Sequence, residues 1–115
     1  MEGRIKLIAI RCADLQQSRS FYESLSLKLQ PEQHDKGPPH YSVAVNGTLF
    51  ELYPKSAERQ IDNQTRLGFS VPNLDGVISA LRANGVEIIT EPRETPWGKR
   101  AVVRDPDGRA VELYE

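Results

Sequence analysis

A faint internal repeat constrains this chain more than any other feature. Phe50-Glu51-Leu52-Tyr53 and Val111-Glu112-Leu113-Tyr114 share Glu-Leu-Tyr 61 positions apart, and the run from Leu7 to Leu15 precedes a similar run from Arg66 to Leu74 by 59. In 115 residues, two nearly equal offsets mean one supersecondary unit built twice around one core. Each unit opens on a strand of Ile, Val and Phe that stops at Asp14 or Asn73, residues that favour the N-cap of a helix. Asp14 with Gln17 resembles a capping box, and Leu15, Phe21, Tyr22 and Leu25 share one helical face. Leu74, Val77, Ile78 and Leu81 repeat that face in the second unit, where Gly85 is placed to end the helix. Strand patterns follow at 28–33, 41–45 and 48–53, then at 87–90, 100–104 and 110–114, with Asn46-Gly47 and Asp107-Gly108 as hairpin turns. The expectation is an α+β fold of two tandem βαβββ modules forming a cup-shaped mixed sheet. It is a single domain, 1–115, with module one at 4–54, a polar linker at 55–64 and module two at 65–115.

Alternation along the strands sorts side chains onto two faces. Leu67, Phe69 and Val71 suit the helix side, as do Phe50, Leu52, Val111 and Leu113. The opposite face then carries Arg66, Gly68 and Ser70, Leu49, Glu51 and Tyr53, and Ala110, Glu112 and Tyr114. An exterior face would be more uniformly polar, whereas this mixture of carboxylates, aromatics and a cation suits the wall of a pocket. Partners are narrowed by charge: 15 Lys and Arg against 16 Asp and Glu leave a net charge of −1 and no basic excess for nucleic acid. The longest apolar run, Leu7 to Ile10, is too short for a membrane span. The alternating charge of the first six residues argues against a signal peptide and for a cytoplasmic location. A lone Cys12 excludes an internal disulfide and a thiolate metal cluster.

The paired βαβββ pattern, Asp14-Leu15 before a helix bearing Ser20-Phe21-Tyr22, and the stretch Pro96-Trp97-Gly98-Lys99-Arg100, Asp105-Pro106-Asp107-Gly108 and Val111-Glu112-Leu113 together resemble the vicinal oxygen chelate superfamily. That superfamily includes glyoxalase I, bleomycin-resistance proteins, fosfomycin-resistance enzymes and extradiol dioxygenases, and the resemblance is strongest to bleomycin-resistance-like members. It implies that each sheet wraps half of a cup and that two modules, often exchanged across a homodimer, enclose the site. It also implies four metal-ligand positions, here Leu7, Glu51, Arg66 and Glu112. Leu7 has no donor atom and Arg66 is a permanent cation, so two carboxylates remain where catalytic metals hold about three protein ligands. No metal is therefore expected, with a divalent ion as the alternative. In its place the Arg66 guanidinium can lie between Glu51 and Glu112, the other reading being that Arg66 reaches solvent or pairs with one surface carboxylate.

Other residues admit two readings each. His34 and His40 fall in a flexible stretch and read as solvated loop histidines, although His40 beside Tyr41 can line the cup mouth as a proton donor or ligand. Trp97 is either a core or interface anchor or a stacking wall for a flat ligand. Tyr53 and Tyr114 share the glutamates' face or fill space between modules, Cys12 reads as a small buried residue, and Asp105-Pro106-Asp107-Gly108 reads as a turn without chemistry. The leading expectation is a metal-independent, homodimeric small-molecule-binding protein whose ligand meets Leu7, Glu51, Arg66, Trp97, Glu112 and Tyr114. The alternative is a lyase or isomerase using Glu51 or Glu112 as general base, with Arg66 stabilising the oxyanion. An interaction domain whose sheet face is filled by a partner chain is a third class.

Overall fold

Local signals at the strand-to-helix joints set the element order of the computed structural model, which describes residues 2–115. Strand β1 (Leu7–Cys12) passes into helix α1 (Leu15–Glu23), where the Asp14 carboxylate accepts the Gln17 N–H at 3.0 Å. Strands β2 (Gln30–Glu32), β3 (His40–Val45) and β4 (Thr48–Pro54) complete the first unit. Strand β5 (Leu67–Ser70) then leads to helix α2 (Leu74–Ala83), capped by the Asn73 side chain accepting the Gly76 N–H at 3.1 Å. Helix α2 stops at Gly85 in a Schellman arrangement: φ there is +79°, with Val86 N–H on the Leu81 carbonyl and Gly85 N–H on that of Arg82. Strands β6 (Ile88–Thr95), β7 (Gly98–Arg104) and β8 (Ala110–Tyr114) close the second unit.

Each unit forms a four-stranded mixed sheet, ordered β1-β4-β3-β2 and β5-β8-β7-β6, with the first pair in each parallel and the others antiparallel. Strand β6 runs past the expected end at residue 90, and Pro92 is tolerated because it sits on an edge strand, in a break of the β6–β7 register, where no ladder partner needs its missing N–H. Asn46 and Gly47 both take positive φ, as a two-residue turn between right-twisted strands requires. The second hairpin is not the equivalent tight turn, since residues 105–109 separate β7 from β8.

The helix-facing sides of both sheets meet in one core. Tyr22 lies edge-on to Phe21 and Phe50, and Phe50 is 5.4 Å from Phe69 of the second sheet. Leu52, Leu74, Leu81, Val111 and Leu113 are fully enclosed in the same cluster. Cys12 is buried with them, which pushes its thiol pKa up and makes it a packing residue. Because Phe50 and Phe69 face each other, Glu51 and Glu112, pointing the opposite way from their strands, lie on the far sides of their sheets.

The loop 105–109 contains the expected turn, closed by the Gly108 N–H on the Asp105 carbonyl at 3.0 Å, and is also a second join between the units. Asp105 and Arg109 are buried and paired at 3.0 Å, and the Tyr22 hydroxyl donates to the same carboxylate at 2.6 Å. The other Asp105 oxygen accepts the N–H groups of Asp107 and Arg109, while the Arg109 guanidinium reaches the Arg11 carbonyl across the units.

Candidate functional site

On the second sheet the site centres on Glu112, which β8 presents on the face away from the core. Opposite it on β5 is Gly68, where a side chain would meet the Tyr114 ring. Arg100 of β7 donates to Glu112 through both Nε, at 3.1 Å, and Nη2, at 2.8 Å, and the Tyr114 hydroxyl donates at 2.8 Å. Arg66, just before β5, pairs with the other carboxylate oxygen while leaving 68% of its own side chain exposed. Arg100 first, then Tyr114 and Arg66, hold the Glu112 carboxyl down to about 2, so pairing outweighs burial. A recess of about 560 Å³ opens over this cluster, walled by Arg93, Glu94, Thr95, Pro96 and Trp97.

Trp97 is 81% exposed at the β6–β7 turn, which corrects its reading as a core anchor and leaves the interface and stacking roles. Thr95 fixes the turn by donating to the Gly98 carbonyl at 2.7 Å and accepting the Trp97 N–H at 3.2 Å.

The first sheet's outer face carries Glu51, buried beside His40 at 3.8 Å, with Tyr53 and the Arg11 guanidinium stacked next to it. His34 is exposed, as a loop histidine should be, but His40 is not: it lies on β3, 2% exposed, against the Tyr53 ring. Leu7 and Leu49, side by side on β1 and β4, make the apolar part of this face and are 53% and 40% exposed. Within one chain, then, Arg66 is brought to Glu112, whereas Glu51 lies apart from both, beside His40. The main partner of Glu112 is Arg100, which the site expectation passed over. Alternation along β7 carries the signal that finds it, because Arg100 pairs in register with Tyr114 and must share its face.

A divalent ion does not fit the four positions implied by the family resemblance. Leu7 offers no donor, and the oxygens of Glu112 are already taken by two guanidinium groups and a phenol. A groove of about 610 Å³ between α1 and the end of α2 lies on the core side of the sheets, where Arg104 and Glu87 at its rim pair with each other at 3.5 Å.

The fold is glyoxalase-like, and the family model of the Glyoxalase/Bleomycin resistance protein/Dioxygenase superfamily matches residues 4–113. The chain belongs to that superfamily. It is 34% identical to the uncharacterized protein YwkD of Bacillus subtilis (strain 168) over 121 aligned positions, covering 94% of this chain and 93% of that protein. Among solved structures it is similar to TnmS3, an antibiotic binding protein from Streptomyces sp. CB03234, at 25% identity and a TM-score of 0.75, covering 98% of this chain and 95% of that one. The hypothetical protein SA1046 from S. aureus superposes with a TM-score of 0.76 at 16% identity, covering 98% and 93%, and shows the same fold.

Proposed function

We propose that this protein binds a small, flat organic molecule against Trp97 and the Glu112 cluster, in a cup completed by a second copy of the chain, without a metal at the family's positions. The observation that carries the reading is the pairing of an exposed tryptophan with a polar floor whose carboxylate is already paired. Arg100, Arg66 and Tyr114 satisfy Glu112 before any ligand arrives, so a ligand need not compensate a buried charge. The antibiotic-binding description of TnmS3, which aligns with nearly the whole chain, supports the same class of ligand. A second copy supports the reading because Leu7 and Leu49 leave an apolar strip on the first sheet's outer face that one chain does not cover.

Proton abstraction finds little support at Glu112, since a carboxylate held near 2 is a weak base. A lyase or isomerase would have to work through Glu51. The experiment is a screen of planar aromatic compounds against the chain's single tryptophan. Bound ligand should quench Trp97 fluorescence and raise the melting temperature, and Trp97→Ala should weaken binding about 2–13-fold, the worth of one aromatic stack. Turnover of a bound compound that is lost in Glu51→Gln would replace binding by catalysis. Ligand binding that ignores Trp97→Ala would move the site elsewhere.

A further inference from the structure

Three donors outside the Glu112 cluster converge at the open end of the first sheet: Glu32 on edge strand β2, His34 in the β2–β3 loop and His40 at the start of β3. One ligand atom from each lies within 4.8 Å of the others. Antiparallel pairing sets Glu32 directly beside His40, and the loop turns back so that the His34 ring is 5.3 Å from that of His40. The loop is held by Gly37 N–H on the His34 carbonyl and by Gln33 on the Gly37 carbonyl.

His40 gives the cluster its meaning. Its Nδ1 is 3.1 Å from the Pro38 carbonyl, a contact only a protonated Nδ1 can make favourably, which leaves the lone pair of a neutral ring on Nε2. That Nε2 is buried and has no hydrogen-bond partner, and it faces carboxylate oxygens of Glu32 at 3.5 Å and Glu51 at 3.8 Å. The ring cannot swing away, since Tyr53 stacks on it at 4.1 Å with an 11° interplanar angle. A lone pair aimed at two anionic oxygens is unfavourable, so Nε2 carries either a proton or a metal ion between them. A backbone carbonyl gripping the far ring nitrogen is the usual support of a metal-bound imidazole.

We propose that Glu32, His34 and His40 form a binding site for a divalent transition-metal ion of the zinc type, with Glu51 close behind. The separations agree with this: Glu32 to His40 is 3.5 Å and Glu32 to His34 is 3.8 Å, against about 3.4 Å for the edge of a tetrahedron with zinc–ligand distances near 2.1 Å. Two imidazoles and a carboxylate select zinc, cobalt or nickel over magnesium or calcium, which prefer oxygen alone. Exposure of Glu32 and His34 gives the ion an entry path, and three protein donors leave a further coordination position. None of the three is a family ligand position, and the site is independent of the ligand recess beside Trp97.

The test is calorimetric titration of chelator-treated protein with Zn²⁺, together with Co²⁺ absorption as a reporter of tetrahedral coordination. One ion per chain should bind and raise the melting temperature. His34→Ala and Glu32→Gln should each weaken binding at least tenfold, since losing even an outer-shell partner costs about 10–100-fold. Both side chains lie at the surface, so the metal-free variants should melt like the wild type. His40→Phe, which keeps the stack on Tyr53, should abolish binding and the cobalt spectrum. The proposal is overturned by no binding at about 1 mM Zn²⁺, by binding that survives both His34→Ala and Glu32→Gln, or by an ion lost in Glu112→Gln but kept in His34→Ala. The last result would instead put the metal at a family position. Quenching of Trp97 by an organic ligand reads out separately, so either conclusion can fail alone.

Discussion

At Glu112 the contest between burial and pairing is decided by Arg100, whose guanidinium makes two hydrogen bonds to the carboxylate, more than by Arg66, which lies largely in solvent. Arg66→Met should therefore cost only about 0–1 kcal/mol, the scale of an exposed ion pair, and Arg100→Met about 1–2 kcal/mol, measured by urea unfolding. Equal losses, or a larger loss at Arg66, would return Arg66 to the centre of the site. The same pairing predicts a pH dependence. Glu112 titrates lower in the folded chain than its ordinary value of 4.5, so its stabilisation is fully present above pH 4.5 and is lost as pH falls from there toward about 2. Glu112→Gln should flatten the stability profile in that window and leave the slope above it unchanged. Arg66 was legible on the face of Glu112 from strand alternation, and as a ligand position from the family resemblance, but the weight of Arg100 was not. A sequence names which residues share a strand face, while register across three strands decides which guanidinium reaches the carboxylate.

Between elements, the loop 105–109 does more than connect β7 to β8. Asp105, Arg109 and Tyr22 form a buried network that holds α1 of the first unit against the second, and Arg109 also reaches the Arg11 carbonyl. Arg109→Met should destabilise the chain by about 3–5 kcal/mol, because it strands the Asp105 charge in the core. Adding Asp105→Asn, which keeps an oxygen for the Asp107 and Arg109 N–H groups, should recover part of that loss. A double variant no more stable than the single would show that the guanidinium matters for packing alone. Tyr22→Phe should cost about 1.5–3 kcal/mol for the hydrogen bond to the carboxylate. The end of α2 gives a purely backbone test: a Cβ on Gly85 meets nothing within 4 Å, yet φ is +79°. Gly85→Ala should thus cost about 1–2 kcal/mol and Gly85→Asn less, by thermal unfolding, and equal costs would rule out backbone conformation as the cause.

For the whole molecule, the decisive fact is that the two sheets join through their helix sides, which turns both candidate site faces outward. Leu7, Leu49 and Trp97 are then uncovered in a single chain, and a second copy is the occupant we expect. Sedimentation at tens of micromolar, an ordinary range for protein association, should show a dimer, and Leu7→Glu should give a folded monomer. A wild-type monomer at that concentration would mean the cup is completed by something other than this chain. The repeat, the Asp14 and Asn73 caps, the Gly85 stop, the Asn46-Gly47 hairpin and the face carrying Glu51 and Glu112 were all determined by sequence alone. Each rests on periodicity or on hydrogen bonds spanning a few residues. Tertiary structure alone decided that Glu112 belongs to Arg100, that Asp105 and Arg109 pair inside the core, and that His40 is buried facing Glu32 and Glu51. Those choices depend on strand register and on how two similar sheets pack, which place side chains together from distant parts of the chain and leave no periodic trace along it.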